Sequence, residues 1–442
     1  MKKIRAETDH FHHRNTRRRE EVNKIGDVLE TLNVEVPVKT VSGSSSTDIS
    51  PPEITGLPGD VLGDILERLS LIDILRAKAV SSSWNSSIEA FLSSDPHVRL
   101  RNTPSLMLPP QQQGEEGYRS YSNRTGDSSH RILNLEENMV YSLKKTTSDL
   151  FLGSSSCIGS SHGWLIFLDT KTLIPFLFNP FTEVRIQLPS LKSPFCKYCA
   201  CSVVKAILTA EPGEDYYVVL MLHFNGPKLA YYKDGDRFWT ELYDSRSQTY
   251  QDIISYGNNK LYGICPNGAI HCWDLWGCFG RPGTKIIVST ATLPAKSVQK
   301  IGYFSTRSSS NYLVELCGEI LLVVRFICSE RLAPMECRYR TELFDVYKLD
   351  LKRREWEEVK SLGDWSLFVG GNHSVSVSTK DHRTCKGNSI YFTTDDFWFR
   401  DYSGCDMGIY SLKDGEVMSL FKFPRCKDFK FQPPSRWLVP RW

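Results

Sequence analysis

The chain has no long hydrophobic run. Its most apolar stretches, such as 164–168 and 320–324, fall far short of the ~20 residues a membrane-spanning helix needs. It also lacks a surplus of charge of one sign. Against 54 Lys and Arg stand 51 Asp and Glu, a net +3 over 442 residues, so no global field draws it to nucleic acid or to an anionic membrane. The basic N-terminus has no apolar segment behind it, so a secretory signal is not expected. Cysteine is sparse and odd in number, 13 in all, which without secretion reads as reduced thiols. The sequons at 123–125 and 372–374 are then idle.

Catalytic signatures are missing as well. No G-x-S-x-G elbow, phosphate-binding loop, H-E-x-x-H or G-x-G-x-x-G occurs. Glu115-Glu116 and Asp395-Asp396 are adjacent carboxylates, and neighbours on a strand point to opposite faces, so neither forms an acid–base pair. Cys196, Cys199 and Cys201 offer a C-x-x-C spacing, but a structural zinc site needs further ligands. Those nearby, Cys265, His271, Cys272 and Cys278, alternate with strand residues. No metal and no cofactor is expected. Trp273, Trp276, Phe397, Trp398 and Phe399 read as strand-packing rings rather than a ligand-binding stripe.

What is present is ordinary globular material with many rings: 40% hydrophobic, 24% charged and 12% aromatic. Residues 1–53 form a helix-prone basic piece and a linker. Arg17–Arg19 reads as a nuclear-import patch, and Val22, Ile25, Leu29 and Leu32 as an apolar stripe for self-association. The favoured reading of the segment over both is a solvated accessory helix. The Ser-rich run at 42–47, closed by Pro51-Pro52, buries too little to order itself.

Residues 54–99 change to a 3.6-residue period. Leu62, Ile65, Leu66 and Leu69 fall at i, i+3, i+4 and i+7, which predicts an amphipathic helix opening near 58–60. Ser70 and Asp73 have capping-box spacing for a second helix over 71–80. Ser82 or Ser83 caps a third, with Trp84 and Ile88 on its apolar side. Three short helices make a core too small to stand well alone.

From about residue 100 to 442 the period becomes 2. Apolar runs of strand length recur at 164–168, 216–224, 260–265, 269–275, 320–326, 343–349, 388–394 and 407–412, predicting a large all-β domain. The runs repeat loosely. His162-Gly163-Trp164-Leu165-Ile166-Phe167 aligns with Asn259-Lys260-Leu261-Tyr262-Gly263-Ile264, and both align with 317–322 and 387–392. The segment from Phe344 to Trp356 likewise matches that from Met407 to Val417. Units of about four strands predict a β-propeller of five to seven blades, with a two-sheet sandwich as the alternative.

Two stretches carry a family resemblance. Residues 57–69, opening Leu57-Pro58-Gly59-Asp60-Val61-Leu62, continue through 73–80 and close on Ser83-Trp84, in register with an F-box. Gly163-Trp164, Asn179-Pro180-Phe181-Thr182, Leu188-Pro189 and 388–393 resemble the kelch-like or propeller-like domain that follows the box in a large group of plant F-box proteins. The resemblance implies an α+β multidomain chain that is the substrate receptor of a Skp–cullin–F-box ubiquitin ligase. It implies a non-catalytic subunit located in the nucleus, the cytoplasm or both. By that likeness Leu57, Pro58, Val61, Ile65, Leu66, Leu69, Ile74 and Leu75 present an apolar face to the Skp adaptor, and through it to a cullin. Val80 and Trp84 lock the third helix, and the β-domain selects a target protein. An interaction scaffold without ubiquitin transfer and an enzyme built on a propeller are the alternatives.

Overall fold

A computed structural model describes residues within 59–94, 104–108, 131–142, 155–191, 203–242, 250–302, 307–393, 406–420 and 436–438, with short gaps inside several of these. The basic N-terminal stripe, Leu57, Pro58, Glu115-Glu116, Cys196–Cys201, Trp276, Cys278 and 395–399 lie outside the described residues.

The helical unit follows the predicted period. Helix α1 is Gly59–Leu66, α2 is Leu71–Lys78 and α3 is Ser82–Ser94. The start of α3 corrects the expected cap by one or two residues: Ser81 Oγ accepts the Trp84 N–H at 3.2 Å, satisfying a donor that the first turn leaves open. Among the described residues, no helix is long and apolar enough to cross a membrane.

Six antiparallel-based sheets follow, and they are the blades of a propeller rather than the two layers of a sandwich. Blade 2 runs Ser155–Ser161, Trp164–Asp169, Pro175–Phe178 and Arg185–Gln187. Blade 3 runs Val203–Leu208, Tyr217–Leu222, Lys228–Lys233 and Thr240–Leu242. Blade 4 runs Asp252–Tyr256, Lys260–Ile264, Ile270–Asp274 and Thr284–Ser289, and an eight-residue helix, α4 (Ala295–Gly302), leads into blade 5. In blade 5, Arg307–Leu316 and Glu355–Glu358 flank two 15-residue strands, Glu319–Ala333 and Glu336–Asp350. In blade 6 the strand Trp365–Val369 inserts parallel to Ser389–Phe392, between it and the inner strand Val375–Ser378.

Blade 1 closes the ring. Its three strands Ser105–Leu108, Arg131–Asn134 and Met139–Ser142 come from the start of the domain, and its inner strand, Arg436–Leu438, comes from the end. Leu106 lies opposite Trp437 in that antiparallel pair.

The packing confirms six-fold closure. Each apolar cluster joins two neighbouring blades: Met107 with Leu165 and Phe178, Ile166 with Leu220, Val219 with Trp273, Ile264 with Leu322, Val323 with Ile390, and Phe368 with Leu106. Strands buried on both faces explain why the sequence reads as apolar runs rather than alternation.

Three of the four aligned motifs lead into the strand paired with the inner strand, Trp164–Asp169, Lys260–Ile264 and Glu319–Ala333; the fourth leads into Ser389–Phe392, one place further out because Trp365–Val369 lies between it and the inner strand. In two blades the hairpin loop has only two residues, both with positive φ: His162 at 52° with Gly163 at 78°, and Cys317 at 50° with Gly318 at 80°. That is the type I′ turn whose twist matches the flanking strands.

Candidate partner-binding site

The helical unit buries Leu62, Leu66, Ile74, Ala77 and Ile88, with Leu69 and Trp84 half-buried against them. Among the described residues these are five buried apolar side chains. Beside them, α1 carries a second apolar pair that faces outward, Val61 and Ile65, each 40% exposed. Leu62 and Leu66 sit one residue on from Val61 and Ile65, so α1 is apolar over a wider arc than one helix contact needs.

The expected adaptor-facing set therefore divides. Val61 and Ile65 are open to a partner. Leu66 and Ile74 lie in the interior, and Leu69 is half-buried. Leu75 lies on α2, and its side chain is outside the described set. Val80 does not lock the third helix. It stands in the turn after α2, its N–H on Ala77 O at 3.1 Å and its side chain 52% exposed. Trp84 is half-buried against the core, and its amide is capped by Ser81.

The propeller's inner ring is polar and cross-linked. Lys205, on the inner strand of blade 3, pairs with Asp252 on that of blade 4, both sealed from solvent. Asp252 also accepts the Leu313 N–H of blade 5 at 2.8 Å. Burial pushes the Asp252 carboxyl up, opposed by Lys205 and by the two amides it accepts.

A loop of blade 6, residues 370–374, reaches two other blades. Asn372 Oδ1 accepts the Trp437 N–H of blade 1 at 3.1 Å. His373 donates its amide to Ser160 O at 3.3 Å, and its Nδ1 meets Ser161 Oγ of blade 2 at 3.1 Å. Ser160 Oγ in turn donates to Trp437 O. These contacts tie the strand Arg436–Leu438 to blades 2 and 6.

Arg325 forms another cross-blade clamp. From the second strand of blade 5 it donates to Thr341 Oγ1 at 2.7 Å, Tyr312 OH at 3.2 Å, Thr393 O at 2.7 Å and Asp406 Oδ2 at 2.9 Å. Its guanidinium lies 4.8 Å from the centre of the Phe392 ring. An Arg buried to this degree needs such a full set of partners.

Of the residues considered for metal chemistry, the described His271 and Cys265 are engaged with each other and with Tyr250. His271 Nδ1 meets Tyr250 OH at 2.8 Å, with Cys265 Sγ at 3.8 Å. Trp273 is fully buried between blades. Among the described residues, no three His, Cys, Asp or Glu side chains group as metal ligands.

Three helices with an outward apolar pair, followed by a closed six-bladed propeller, have the architecture of an F-box protein with a propeller domain. Residues 54–92 match the F-box domain, and 132–411 match the family described as the KIB1-4 beta-propeller. The F-box/kelch-repeat protein KIB1 of Arabidopsis thaliana is 30% identical over 343 residues, covering 76% of each chain. F-box protein KIB2 of the same plant is 27% identical over 388 residues, covering 82% of this chain and 78% of its own. F-box protein KIB3 is 26% identical over 408 residues, covering 86% and 81%. The chain belongs to this family of plant F-box proteins with a KIB1-4 beta-propeller.

Proposed function

We propose that the chain is a non-catalytic substrate receptor of a Skp–cullin–F-box ubiquitin ligase. The F-box, residues 54–99, takes the Skp-type adaptor and through it a cullin; the β-domain, residues 100–442, holds the target protein. Its work is to keep the target near a charged conjugating enzyme, which turns a bimolecular encounter into a nearly intramolecular one. The reading places the protein in the nucleus or cytoplasm.

The observation that carries this is the exposed pair Val61 and Ile65 on α1, backed by the buried pair Leu62 and Leu66. A small helical unit that leaves such a pair open gains by burying it on a partner. Leu57 and Pro58 extend the face by family likeness.

The test is co-purification with a Skp-type adaptor and a cullin. Wild type is expected to retain both. Val61→Asp plus Ile65→Asp should weaken adaptor binding by about a hundredfold or more, since two apolar contacts worth ~1.5–3 kcal/mol each are replaced by buried charge. Propeller melting should not move. A wild-type chain that fails to retain the adaptor overturns the reading. Adaptor binding without any effect of the double substitution on target turnover favours a scaffold role.

A further inference from the structure

We draw no further inference here: the strongest candidate, the exposed Phe238 on the turn that joins Lys228–Lys233 to Thr240–Leu242 in blade 3, is an apolar surface point with nothing in the structure to show what covers it.

Discussion

Cys157 lies on the inner strand of blade 2, packed with Met107 and Leu438 of blade 1. Burial pushes its thiol up to about 11, with the charge of Arg436 only partly offsetting this. Cys272, on the third strand of blade 4, is likewise pushed up to about 11, mainly by burial. Cys317 stands exposed in its turn. The thiolate is the reactive species, so exposure and protonation act in the same direction. At pH 8, iodoacetamide should modify Cys317 and leave Cys157 and Cys272 untouched until the protein is unfolded. Peptide mass spectrometry reads this directly; labelling of Cys157 as fast as Cys317 would contradict the burial. The sequence already placed the described cysteines of blade 4 among strand residues. It gave no means of ranking their reactivity, because each thiol's surroundings come from other blades.

The repeated hairpin is the element that local sequence specified best. His162-Gly163 and Cys317-Gly318 each join two strands through two residues of positive φ, so the second residue is one that only glycine adopts without strain. Gly163→Val should cost about 1–2 kcal/mol of stability, and Gly163→Asn clearly less, as measured by urea midpoints at constant slope. Equal losses for both would mean that the turn is not type I′ in solution. The inner strands were far less legible. Ser155–Ser161 and Val375–Ser378 are rich in serine, so they show no apolar run. Their burial follows from their place at the centre of the ring. The long hairpin of blade 5 was also underestimated: apolar runs at 320–326 and 343–349 show only the part packed between blades, whereas the rest of the hairpin is polar and charged.

At the scale of the molecule, the ring depends on a short strand at the far end of the chain. Trp437 is fully buried, donates Nε1–H to Val369 O at 3.0 Å, and meets Phe368 edge-on at a centroid distance of 5.1 Å. It joins blade 1 to blade 6 while its backbone is held by Asn372 and Ser160. Trp437→Ala should cost about 3–5 kcal/mol and lower the melting temperature of the whole β-domain in one cooperative step. A small loss confined to local fraying would show that the ring is closed by other contacts. The F-box obeys a different logic, since its outward pair Val61 and Ile65 contributes nothing to this ring.

By itself the sequence determined the helical box, the period-2 domain behind it, the repeating second strands and the turns that introduce them. All of these depend on neighbours within a few residues, where side-chain period and backbone φ are local properties. Only the tertiary structure decided the number of blades, the closure by Arg436–Leu438, the split of the α1 surface into Leu62 with Leu66 inward and Val61 with Ile65 outward, and the Arg325 clamp between blades 5 and 6. Each of those is set by residues far apart in the chain. A three-residue strand or a single buried Arg carries no periodic signal, and its role is fixed only when folding brings its partners to it.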